Sequence, residues 1–120
     1  MARLVHELGA LDRPRLVEHF RKLDAADRRL RFGLAVSDEF ISDYVEAIDF
    51  TRDHLFGIFG PNFEPIAVAH MGQAGDDAEL GLSVLKEHRR GALARRLVSR
   101  ATRRAIALGR RRLWIHFVSD

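Results

Sequence analysis

Residues 86–96 read KEHRRGALARR, a run of basic side chains around three small residues, Gly91, Ala92 and Ala94. The run leads directly into a segment with helical periodicity. The first turn of a helix presents unpaired N–H groups and the positive end of the backbone dipole. A phosphate can bind there when small side chains let it reach the backbone. Arg89, Arg90 and Arg95 add positive charge, and no acidic residue follows Glu87 through the helix. This is a plausible anion site, suited to the phosphates of a small cofactor or of nucleic acid. The alternative is an ordinary loop before an amphipathic helix. The sequence contains neither GxxxxGK[ST] nor GxGxxG, so a P-loop is excluded and a dinucleotide fold has no support.

The charge balance sharpens the question. The chain has 20 basic and 17 acidic residues, a net charge of +3. Segment 86–112 holds one Lys and ten Arg against Glu87 alone, or +10, so the remainder holds nine basic and sixteen acidic groups, or −7. The whole positive excess sits in one segment, which either meets an anionic partner or forms a well-solvated helix face.

Other chemistries find little support. There is no cysteine, which removes disulfides and thiolate metal sites and suits an intracellular, cytoplasmic setting. The six histidines show no HxxxH or HxH spacing, so no metal site is expected. Ser83 and Ser99 have no neighbouring His and acid for nucleophilic hydrolysis. His70 and His116 fall in expected strands and could face a site or be structural, whereas Tyr44 lies on a helical stripe and reads as core. No apolar run approaches the roughly 18 residues of a membrane span, and the start, MARLVHELGA, lacks a signal-peptide core.

The elements that would position these residues follow from periodicity. With 120 residues, 47% apolar and 31% charged, the chain reads as one domain over 1–120. Residues 2–8 suggest a short strand. Asp12 opens a helix with Pro14 in its first turn and Leu16, Val17, Phe20 and Leu23 as its apolar stripe. Asp24–Leu30 reads as a turn. Ser37 caps a second helix that buries Phe40, Ile41, Tyr44, Val45 and Ile48. Strands are expected at 54–60, 66–72 and 78–85, joined by turns at 61–65 and 73–77. Gly81 in the third strand marks a bulge or a close approach. A long helix at 92–108 turns Leu93, Leu97, Val98, Ala101, Ala105 and Leu108 inward, ends at Gly109 and leads to a strand at 111–118. Helices, then an antiparallel meander, then a strand–helix–strand crossover make a mixed α/β or α+β sheet, with 78–118 as a parallel, right-handed unit.

Residues 78–118, AELGLSVLKEHRRGALARRLVSRATRRAIALGRRRLWIHFV, resemble the central portion of the GNAT superfamily of N-acetyltransferases. That family carries R/Q-x-x-G-x-G/A between a strand and its long helix. Here the motif reads Arg89-Arg90-Gly91-Ala92-Leu93-Ala94, with Ala92 in place of the middle glycine and Lys86 where a proline is common. DRPRLVEHFRKLDAADRRLRFG (12–33) and SDEFISDYVEAIDF (37–50) are similar to the N-terminal helices of bacterial GNAT domains, including those attached to protein acetyltransferases.

The resemblance implies the acyl-CoA N-acyltransferase fold and a site for acetyl-CoA. The pyrophosphate would lie against the N–H groups of residues 90–95, and the pantetheine arm would run beside Ser83, Val84 and Leu85, where the strands at 78–85 and 111–118 splay apart. A backbone N–H near Val84 or Leu85 would polarise the thioester carbonyl. Glu79 would serve as general base toward an amine, as a glutamate in a corresponding stretch does in some members. An exposed strand residue is the plainer reading of Glu79. Members usually continue into another helix and strand that carry a tyrosine general acid and an asparagine. The resemblance therefore describes a C-terminally shortened domain, which a second copy of the chain could complete as a homodimer.

Three functions are then in play. The first is acetyl transfer from acetyl-CoA to an amine, either a protein lysine or a small molecule. The second is a non-catalytic acyl-CoA-binding regulatory module. The third is nucleic-acid binding through the arginine-rich helix, against which stands the absence of interleaved aromatics and of a helix-turn-helix spacing.

Overall fold

The computed structural model describes residues 3–116. Ala2 of the first expected strand and Phe117 and Val118 of the last lie outside this range. Five strands form one sheet in chain order: β1 (His6–Leu8), β2 (His54–Phe59), β3 (Pro65–Ala74), β4 (Asp77–Val84) and β5 (Leu113–His116). The first four are antiparallel neighbours, and β5 lies parallel to β4. The four α-helices are α1 (Arg13–Arg21), α2 (Ala25–Phe32), α3 (Asp38–Glu46) and α4 (Leu93–Ala107). This is the mixed sheet anticipated from the order of elements.

Helices cover both faces. α4 packs on β2, β3 and β4 from one side, while α1 lies on β3 and α2 on β4 from the other, with α3 against α1. The central strands are accordingly buried on both faces. Leu55–Ile58 of β2 and Pro65–Ala69 of β3 are runs of consecutive buried residues rather than an in–out alternation. Phe20, Ile41, Val45 and Leu55 belong to the resulting core, as do Leu97 and Ala101 of α4.

Three sequence expectations need correction. The stretch read as a turn at 24–30 is helix α2. Asp24 caps it by accepting a hydrogen bond from the Asp27 N–H at 2.9 Å, and Gly33 ends it at φ 86°. An apolar stripe is weak there because arginines hold the helix in place. Arg28 alone reaches the carbonyls of Leu23, Val36 and Arg21 and pairs with Asp38. Phe40 is 46% exposed, because the first turn of α3 overhangs the edge of the core. Leu108 is likewise exposed, at the point where α4 runs out beyond the sheet.

The ladder between β4 and β5 pairs Ala78 with Leu113 through Gly81 with His116. Among the described residues, Leu82–Val84 have no partner on that side. Among those residues the edge of β4 is therefore open above Gly81.

Candidate active site

A strand alternates its side chains between faces, and β4 uses this to separate two cavities. Leu82 and Val84 face the α4 side and line a groove of about 400 Å³ with Arg89, Arg90, Ala92, Leu93, Ala94, Arg95 and Val98. Glu79 and Gly81 face the opposite side and line a pocket of about 510 Å³ with Arg31, Tyr44, Asp53, His70 and His116. The open edge of β4 lies between the two.

The groove contains most of the residues expected to hold phosphate. α4 starts after Ala92, which offers no side-chain cap, and no acid stands in the first turn. The α4 ladder begins with the Arg96 N–H donating to the Ala92 carbonyl at 3.1 Å. The N–H groups of Leu93, Ala94 and Arg95 therefore have no acceptor within the helix. By contrast, α2 and α3 are capped by Asp24 and Ser37. The loop reaches this position through two left-handed residues, Arg90 at φ 69° and Ala92 at φ 63°. The second of these explains the glycine of the R/Q-x-x-G-x-G/A motif: the position calls for a conformation that costs an L-residue energy. Gly91 itself has no positive φ and no close neighbour.

Three expected residues, Arg89, Ser83 and Leu85, make contacts other than those assigned from sequence. Arg89 is not free for a phosphate in this state. Its Nη2 stands 2.9 Å from the buried Asp27 carboxylate of α2, and its Nε donates to the Val84 carbonyl at 3.0 Å. Lys86 similarly pairs with Asp24, so two cations tie the loop to α2. The Ser83 side chain points away from the groove and is buried against His19. The Leu85 N–H donates to the Ile66 carbonyl at 2.9 Å, which commits it to β3. In an antiparallel ladder successive residues turn their N–H groups to opposite sides. Val84 therefore presents its N–H at the open edge, whereas Leu85 does not.

His19 and Ser83 form a buried polar link between α1 and the sheet. His19 Nδ1 lies 2.8 Å from the Pro65 carbonyl, which can only accept, so Nδ1 carries the proton. Nε2 must then accept from the Ser83 hydroxyl at 2.7 Å. Burial pushes the His19 imidazole down to about 4, against a smaller upward pull from the bond to Pro65. Ser83 donates its proton here and is no nucleophile.

The pocket on the other face brings Glu79, His70 and His116, which the sequence reading weighed as site residues, together with Tyr44, which it assigned to the core, and Arg31 and Asp53, which it left aside. Arg31 Nη2 donates to the Tyr44 hydroxyl at 2.7 Å. Tyr44 in turn bonds His70 Nδ1, and His70 Nε2 lies 2.8 Å from Asp53 Oδ2. Since the carboxylate accepts from Nε2, the unprotonated Nδ1 accepts from Tyr44. The chain runs in one direction, from Arg31 to Asp53. Burial holds the Tyr44 hydroxyl above its ordinary value and the His70 imidazole below its own, although Asp53 pulls His70 upward. Tyr44 is thus a site residue with its ring in the aromatic core. Glu79 is exposed on the pocket floor, its carboxylate 3.9 Å from His116 Nε2. Arg31, on a helix that periodicity did not reveal, could not be found from spacing.

No family model matches this sequence, and comparison with curated proteins finds no match. Solved structures do match. The GNAT domain of S. lividans PAT superposes with a TM-score of 0.75 at 20% identity, over 91% of this chain and 68% of that one. A GNAT-family acetyltransferase from Staphylococcus aureus Mu50 gives 0.73 at 11% identity, over 95% and 73% of the two chains. The fold is that of the GNAT acetyltransferases. The PaiA N-acetyltransferase of Thermoplasma acidophilum, solved in complex with coenzyme A, gives 0.64 at 17% identity over 92% of this chain and 76% of that one. At these identities the GNAT likeness is one of architecture.

Proposed function

We propose that the protein is an acetyl-CoA-dependent N-acetyltransferase. The observation that carries this reading is the uncapped, acid-free N-terminus of α4 facing a groove beside the open edge of β4. That arrangement suits a ligand with a pyrophosphate at one end and a narrow arm at the other. A fold neighbour solved with coenzyme A supports the same ligand.

Acetyl-CoA would supply the acetyl thioester. The N–H groups of Leu93–Arg95, with Arg90 and Arg95, would hold the phosphates. Leu82 and Val84 would flank the arm at the open edge of β4, and the Val84 N–H would donate to the carbonyl oxygen as negative charge develops there. Glu79, on the opposite face of β4, would take a proton from the acceptor ammonium. The freed amine attacks the acetyl carbon, the C–N bond forms and the C–S bond breaks. The amine's second proton leaves as the sulfur departs as a thiol.

The arginines of α4 fit this reading better than nucleic-acid binding. Arg104 is held by Glu7 at 2.8 Å, Arg96 by the Arg3 carbonyl, and Arg100 stacks on Phe56. Thermal unfolding with added acetyl-CoA is the direct test. A ligand that binds only the folded state raises Tm, and free thiol should appear once an acceptor amine is supplied. No shift at millimolar acetyl-CoA would sink the proposal. A shift without thiol release over a broad amine panel would leave a binding module instead.

A further inference from the structure

We infer that the acceptor is an α-amino acid, with its carboxylate held by Arg31 and its amine beside Glu79. This rests on the acetyltransferase reading above and names the substrate class of the pocket opposite the groove.

Arg31 is the starting point. Its guanidinium lies among the rings of Phe20, Phe32 and Tyr44, 4.7–5.6 Å from their centroids. Its Nη2 has the Tyr44 hydroxyl, but its Nε is buried without a hydrogen-bond partner. Among the described residues no carboxylate forms an ion pair with it, whereas Arg89 and Arg104 have Asp27 and Glu7. A half-buried cation with aromatic neighbours and no direct anion has lost hydration without a full replacement. The guanidinium fork matches a carboxylate better than any other common anion. The Tyr44–His70–Asp53 chain fixes the angle of that fork, because each link donates to the next and none can reverse without breaking the bond to Asp53.

The position of Arg31 then sets the spacing between carboxylate and amine. A Cβ on Gly81 would stand 2.7 Å from Arg31 Nε, so the guanidinium lies directly on the backbone of residue 81. Gly81 is also the last β4 residue that pairs with β5 among the described residues. The reacting amine would meet the thioester at this same level, beside the edge of β4 that is open among the described residues. Carboxylate and amine are thus brought to one level of the sheet, which suits groups joined through a single carbon. Glu79 projects into the same pocket two residues away and meets the ammonium. A polycationic acceptor would bring a second positive charge against Arg31 and is disfavoured.

The test is thiol release from acetyl-CoA by the protein, with each L-α-amino acid compared with its own amide. At least one acid should be used with a kcat/KM about 10- to 100-fold above that of its amide, the range expected for a charge-assisted bidentate contact. In Arg31→Gln that preference should vanish through KM of the acid while the amide is unaffected. If Arg31→Gln does not fold, Gly81→Ala displaces the same guanidinium and should give the same loss. Equal use of acids and amides, or an equal loss for both in the variants, overturns the inference. It also falls if no amino acid is acetylated by protein whose Tm rises with acetyl-CoA. That result leaves the cofactor reading standing, whereas the absence of any acetyl-CoA shift removes both.

Discussion

At the scale of single residues, Ala92 is the most informative position. Its φ of 63° places an L-residue where glycine is at ease. Left-handed backbone costs a non-glycine residue roughly 1–2 kcal/mol, partly offset by the smaller entropy that alanine loses on folding. Ala92→Gly should therefore raise stability by about 0.5–1 kcal/mol and tighten acetyl-CoA binding, read by thermal unfolding and by titration. Ala92→Val, β-branched at the same φ, should do the reverse. Ser83 offers a second check. Ser83→Ala removes the donor to His19 Nε2 and leaves that buried nitrogen unsatisfied, a loss of about 1–3 kcal/mol in denaturant unfolding. Because Ser83 faces away from the groove, acetyl-CoA affinity in the folded variant should hold. A large loss of affinity would contradict its placement.

At the scale of elements, α4 trades stability for an open end. An acid in its first turn would favour the dipole by roughly 0.3–1 kcal/mol. Ala94→Glu should thus leave Tm unchanged or slightly higher, yet abolish the shift produced by acetyl-CoA. Retention of that shift would mean that the phosphates lie elsewhere. Helices α1, α3 and α4 could be read from the sequence because each buries one face and so carries a helical period, and the central strands because they are short apolar runs bounded by turns. Helix α2 could not, since AADRRLRF is held by the Asp24 cap and by arginine contacts to distant carbonyls. The proposed phosphate loop was legible as a candidate because its residues are contiguous. The opposite pocket was not, because Arg31, Tyr44, Asp53 and His70 come from separate segments and meet only in three dimensions. Tyr44 was misleading for a related reason: a stripe position on a helix can bury a ring and still deliver its hydroxyl to a cavity. Gly81, by contrast, was marked in advance as a close approach, and Arg31 is what approaches.

At the scale of the whole molecule, acid should unfold the protein through His19, which joins α1 to β3 and β4. The imidazole titrates near 6.5 in the unfolded chain and is pushed down to about 4 in the fold. The unfolded state therefore takes up a proton first as pH falls. Stability from this residue is fully present above about pH 6.5, declines between 6.5 and 4, and levels off below. Its maximal contribution is on the order of 3 kcal/mol. Urea unfolding across that interval should show the decline, and His19→Gln should flatten it. An unchanged slope in the variant would assign the acid sensitivity to other groups.

Helix α2 also gives the molecule a lever. Asp27 and Arg31 stand four residues apart, one turn along the same helix face. The first grips Arg89 of the phosphate loop and the second lies on Gly81 in the opposite pocket. Eight residues thus connect the two sides of the sheet without passing through it. If a ligand that draws Arg89 away from Asp27 also shifts α2, the seat of Arg31 shifts with it. Such a coupling is reciprocal: a ligand that draws on Arg31 would then change affinity at the loop by the same factor.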